Sequence, residues 1–114
     1  GCVRSVIPPS QHPYKMWHVE EHDGLMTPIL QVEGLDEPFN TPRQQLPPVF
    51  LQTGHTNVIQ AKTILGGSMT GRLIMPLMID PAYEIDLDTL EDWQYGEWVV
   101  ANRKLDMIWP EKTV

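Results

Sequence analysis

Eleven prolines in 114 residues are the feature that most limits what this chain can fold into. That share is about twice the usual roughly 5%. The prolines gather in residues 8–13 and 38–48. Proline has no backbone N–H and a fixed φ, so neither stretch suits a helix interior or a central strand. Two long segments should therefore be irregular, and regular structure must come from what surrounds them. A chain of this length suits one small domain that buries roughly two-thirds of its unfolded surface. Its 41% apolar content allows a modest core.

Between the prolines, short elements can be read. "CVRSVIP" (2–8) mixes β-branched and polar residues and predicts a strand. "YKMWHVEE" (14–21) alternates and predicts another, and "EHDGLMTPIL" predicts a hairpin turned at Asp23-Gly24. "DEPFNTPRQQLPP" (36–48) is a loop with room for a short helical turn. "GHTNVIQ" (54–60) predicts a strand, and "AKTIL" a brief helix stopped by Gly66-Gly67. "RLIMPLMI" (72–79) is a further strand, which Pro76 assigns to an edge or a bulge. The glycine-rich "LGGSMTGRL" (65–73) reads as a connector. The clearest element is a helix from Thr89. Thr89 is a good N-cap and Asp92, three residues on, resembles a capping box. Glu91 and Asp92 suit the positive helix start, Arg103 and Lys104 its negative end. Leu90, Trp93, Gly96 and Val100 fall on one face at helical spacing, and Gly96 suggests close packing against a sheet. Residues 104–114 form a tail, with Ile108 and Trp109 as its candidate packing residues. Strands this short and scattered would struggle to cover both faces of a sheet, so another chain or a further segment is expected to complete the core.

Charge and composition narrow the function classes. The net charge is -7, and no Lys/Arg cluster exists to form a nucleic-acid surface. One cysteine, Cys2, excludes an internal disulfide and a cysteine metal cluster, and fits a reducing cytoplasm. No apolar run approaches the roughly 18 residues of a membrane span, and no signal-peptide pattern opens the chain. A soluble cytoplasmic protein, bound neither to nucleic acid nor to a membrane, is the expectation.

The chemistry concentrates in "YEIDLDTLEDW" (83–93). If residues 83–88 form a strand, Asp86 and Asp88 project together, with Ile85 and Leu87 opposite. Two like charges so close call for a cation. Mg²⁺ takes oxygen ligands at about 2.0–2.1 Å and favours phosphate as a co-ligand. The bland alternative is a solvent-facing Asp86 and an Asp88 that helps start the helix. His18 and His22 have a zinc-like spacing, but an extended chain would hold them about 13 Å apart, and no further ligands are evident.

Three segments share a family resemblance. "EIDLDTLEDWQYGEWVV" resembles the C-terminal signature of the acylneuraminate cytidylyltransferase (CMP-sialic acid synthetase) family. "VRSVIPPSQHPYKMW" is similar to that family's strand and "H-P-x-K" segment, and "TPRQQLPPVF" to its "P-R-Q-x-L-P" loop. The likeness spans most of residues 1–103. It implies an α/β chain, the C-terminal part of a nucleotide-diphospho-sugar transferase-like (Rossmann-like) fold. That fold would have a short mixed sheet, a C-terminal helix and a protruding dimerisation hairpin. Residues 1–114 would be a single partial domain. Residues 10–50 would supply dimerisation and sugar contacts, 51–103 the C-terminal strands and helix, and 104–114 the tail. By the same resemblance Asp86 and Asp88 are metal ligands for Mg²⁺, and Lys15, Arg43 and Gln45 bind substrate. The implied reaction joins CMP from CTP to a sugar acid, in a homodimer. No catalytic residue is assigned.

The resemblance also breaks in two places. The family's N-terminal glycine-rich loop, which cradles CTP, has no counterpart, so a partial enzyme inactive alone is expected. The alternative is a non-catalytic dimerisation or binding module of the same descent. Where the family has "F-R-x-N-G-A", this chain has "FLQTGH". A sugar carboxylate then loses partners unless His55, Thr56 or Gln52 substitutes. A related nonulosonic acid or a different activated sugar stays open.

Overall fold

The β-branched run at the start of the chain forms β1 (Cys2–Ile7), in a computed structural model that describes residues 1–108. The chain divides into two units, Gly1–Ile7 with Gln52–Val114, and Pro8–Leu51. The first is mixed α/β. Its three-stranded sheet has the order β4-β1-β5, with β4 at Leu51–Ile59 and β5 at Ile74–Met78. β1 and β5 are parallel, with Cys2 opposite Ile74 and Val6 opposite Met78. Along β4, Gln60 meets Gly1 while Thr53 and Thr56 meet Ser5. β4 thus runs back along β1, and the sheet is mixed. The short helix α1 (Ala61–Leu65) follows β4 and ends at Gly66.

Pro76 lies in an edge strand, and the register explains how it is tolerated. Cys2 N–H donates to Leu73 O at 3.0 Å and Ile79 N–H to Val6 O at 3.1 Å. The odd-numbered residues of β5 therefore face β1. Pro76 puts its nitrogen on the open edge, where no ladder bond is lost and a further strand is discouraged.

After β5 the chain departs from the expected strand over 83–88. Pro81–Tyr83 is a 3₁₀ turn capped by Asp80, whose side chain accepts from Ala82 N–H. Residues 84–87 carry no regular structure. α2 (Leu90–Asn102) then begins at Thr89 with a complete capping box. Its buried face is not the expected one. Leu90 (73%), Trp93 (55%) and Val100 (46%) are exposed, whereas Val99 is fully buried. Gly96 does mark a close approach, but not to a sheet. A Cβ there would lie 3.4 Å from Ile85 Cγ2 and 3.6 Å from Leu87 Cδ2. The loop ahead of the helix thus packs on α2 at Gly96. In the tail, Asp106 N–H donates to Tyr83 Oη at 2.8 Å. Ile108 is 98% exposed, and Trp109 lies outside the described residues.

The second unit shows how proline-rich chain is held. β2 (Trp17–Val19) and β3 (Met26–Pro28) form an antiparallel hairpin. Its turn includes Gly24 at φ 73°, a conformation glycine adopts without strain, and Asp23 Oδ1 accepts from Leu25 N–H. The expected strand over 14–21 is shorter because Pro13–Lys15 forms a 3₁₀ turn. Two more such turns, Pro38–Asn40 and Arg43–Gln45, occupy the 36–48 loop. Prolines cannot complete a ladder, so side chains meet the stranded carbonyls. Buried His12 accepts from Tyr14 N–H through Nδ1 at 3.1 Å, and its Nε2 lies 3.0 Å from Pro47 O. The first contact fixes Nε2 as the protonated nitrogen, so Nε2–H donates to Pro47 O. Trp17 packs on Phe39 with ring centroids 4.6 Å apart.

Little of this chain is buried. Among the described apolar side chains only Cys2, Pro38, Leu46 and Val99 are buried, and every residue of β5 is exposed. The accessible area is 9697 Å². A folded monomer of 13.1 kDa exposes roughly 6,400 Å², and two separate bodies sharing that mass roughly 7,700 Å². Parallel strands are as a rule covered on both faces. Here both faces of β5 lie open. Among the described residues, no helix is long and apolar enough to cross a membrane.

Candidate metal centre

The acidic segment is built by its neighbours on both sides. Ile85 and Leu87 turn toward Gly96 of α2. Asp86 and Asp88 turn the other way, remain exposed, and approach closely enough for their side chains to hydrogen-bond. The alternation expected of a strand is thus kept without a strand, because apolar packing on the helix orients every second residue. The Asp88 carboxyl is held above its ordinary value, first by the Asp86 charge. Partial desolvation, the hydrogen bond with Asp86 and the Asp92 charge add to this.

Asp92 is pushed the opposite way. Its carboxylate accepts from Asp88 N–H at 3.0 Å and Thr89 N–H at 2.9 Å, and these backbone donors hold its pKa below the ordinary value. Thr89 Oγ1 accepts in turn from Asp92 N–H at 3.1 Å. Asp92 therefore clamps the backbone of Asp88 while the Asp88 side chain turns to Asp86. Two carboxylates that repel each other, with open solvent around them, suit a hard cation that needs few protein ligands and keeps its own water. Among the described residues, no group of three or more His, Cys, Asp or Glu side chains is placed to hold a metal.

His55 lies in the same unit, on β4. Its Nδ1 is 2.8 Å from Thr56 Oγ1. The backbone beneath it is tied to β1 by buried hydroxyls. Ser5 Oγ and Thr53 Oγ1 are 2.7 Å apart, and Ser5 Oγ accepts from Thr56 N–H at 2.9 Å. Gly54, His55, Glu84, Ile85 and Asp86 line one recess. Glu84, Ile85, Asp86, Asp92 and Tyr95 line another. Sequence reasoning missed Glu84 and the Ser5–Thr53 pair. Glu84 is one of fifteen acidic residues, and nothing but its place two residues before Asp86 could have singled it out.

The other expected site residues lie in the second unit. Lys15 Nζ donates to Phe39 O at 3.2 Å. Arg43 donates through one terminal nitrogen to Ser10 O at 2.8 Å and through the other to Pro9 O. Both ends of its guanidinium fork are thus engaged with backbone. Gln45 ends an exposed 3₁₀ turn. The distance expected between His18 and His22 is overturned, because the turn after Val19 folds both imidazoles onto Glu20. His18 Nε2 is 3.5 Å from one of its oxygens and His22 Nδ1 3.9 Å from the other. His22 Nε2 also lies 3.4 Å from Asp23 Oδ2.

A scan against models of known protein families finds no match, and a comparison with curated proteins finds none either.

Proposed function

We propose that this chain supplies the metal-binding part of a cytidylyltransferase-like nucleotidyltransferase, one that transfers CMP from CTP to a sugar acid. The observation that carries the reading is the Asp86–Asp88 pair, solvent-facing and mutually repelling, on a backbone clamped by Asp92. The likeness of residues 84–100 to a cytidylyltransferase signature agrees with it. The open sheet supports the idea that further protein completes the domain. A Mg²⁺ ion held there would neutralise charge on the triphosphate during displacement. Asp86 and Asp88 would supply its protein oxygens. Asp92 acts as a positioning residue, because its carboxylate fixes the Asp88 N–H and so the direction of that side chain. Lys15, with only one donor engaged, is the better candidate of the two cations for a substrate carboxylate.

The proposal is tested by titrating Mn²⁺ into the ¹⁵N-labelled chain. Amide signals of residues 85–89 should broaden first, and Asp86→Ala or Asp88→Asn should weaken the effect about tenfold or more. Broadening centred elsewhere, or none, would remove the reading. One observation favours a second reading, a non-catalytic assembly module: the Arg43 fork is spent on Ser10 and Pro9 carbonyls. That reading gains if Mn²⁺ leaves Asp86 and Asp88 untouched.

A further inference from the structure

The recess beside the acidic pair has a chemistry of its own. Its volume is ≈ 90 Å³, and its lining is Gly54, His55, Glu84, Ile85 and Asp86. That space admits a few water-sized groups, such as the hydroxyls along one edge of a sugar, but neither a whole ring nor a nucleobase. The stretch containing His55 would be expected to replace lost partners of a sugar carboxylate. The structure argues against this. Gln52 Oε1 accepts from Arg4 at 2.8 Å, and Thr56 Oγ1 is engaged with His55 Nδ1. Neither Lys nor Arg lines the recess, and two acidic residues do. An acid group entering it would meet like charge.

Hydroxyls fit the same lining. Each can donate to a carboxylate oxygen, and hydrogen bonds to ionised acceptors are roughly twice as strong as neutral ones. The Thr56 hydroxyl takes Nδ1 of His55 and leaves Nε2 for a ligand. The Ser5–Thr53 hydroxyl pair holds the His55 backbone from below, which preorganises the ring. We propose that this recess is a hydroxyl-binding subsite, taking polyol hydroxyls of the substrate and turning away the acid group. The inference rests on the nucleotidyltransferase reading for its ligand class.

His55 offers a clean test. It lines the recess and is exposed on β4, so His55→Ala removes the ring without opening a core. N-acetylneuraminic acid and its methyl ester are titrated into the metal-free chain in EDTA, following the Gly54 and Asp86 signals. The neutral ester should bind about fivefold tighter than the acid, the ratio set by one like-charge contact in water. His55→Ala should weaken the response to both, and Glu84→Gln should weaken the ester and bring the ratio toward one. The proposal is overturned if the acid binds tighter, if His55→Ala leaves the titration unchanged, or if neither compound shifts these signals. Mn²⁺ broadening at Asp86 and Asp88, in a parallel sample freed of EDTA, separates the two ideas. If it persists, the subsite alone has failed, and if it is absent, the nucleotidyltransferase reading has failed with it.

Discussion

Asp88 and Asp92 are four residues apart and titrate in opposite directions, because one faces a like charge and the other faces N–H donors. Asp92, with its folded pKa below the ordinary 3.8, contributes stability that is full above that value. The contribution is lost as pH falls through the lower folded value. Asp88, with its folded pKa above 3.8, binds its proton more tightly when folded. Its contribution therefore declines as pH rises from 3.8 through the raised value. Urea unfolding in EDTA across acid pH should show both slopes. Asp88→Asn should remove the decline above pH 3.8 and raise the metal-free melting temperature at neutral pH. Asp92→Asn should remove the loss on the acid side. Saturating Mg²⁺ should cancel the advantage of Asp88→Asn, since the wild-type pair then has its counter-charge.

α2 separates what a local signal can convey from what it cannot. Its start was legible because a capping box involves only Thr89, Asp92 and the N–H groups between them. Thr89→Ala should therefore cost about 1 kcal/mol, read from the urea midpoint at constant slope. Its buried face was not legible. Helical spacing picked out Leu90, Trp93 and Val100, yet Val99 is the buried residue, and Ile85 and Leu87 reach the helix at Gly96. The Gly96 contacts of 3.4 and 3.6 Å are ordinary van der Waals distances. Gly96→Ala should thus be tolerated and gain up to about 1 kcal/mol in helix propensity. Gly96→Leu should destabilise the chain, since its extra carbons have no room beside Ile85 and Leu87. In the second unit the His12 clamp was hinted at by the "H-P" segment, but its reach to Pro47 crosses 35 residues, and sequence spacing does not carry that.

At the scale of the whole molecule, the 9697 Å² of accessible area implies that folding buries about half of the extended-chain surface, not two-thirds. The urea m-value should then be roughly three-quarters of that usual for 114 residues. Strong binding of an apolar dye to the native state should accompany it. A normal m-value with no dye binding would contradict the open sheet. The amino-acid sequence alone determined the proline-bounded breaks, the hairpin turn, the restriction of the Pro76 strand to an edge or a bulge, and the helix cap. Each of these is set by backbone chemistry within a few neighbouring residues. The tertiary structure decided which side of α2 is covered, that Asp86 and Asp88 meet without a strand beneath them, and that Glu84 and His55 share one recess. Those outcomes depend on how one element packs on another, Ile85 and Leu87 on Gly96 and the 84–86 loop beside β4, where packing and not local propensity selects the partner.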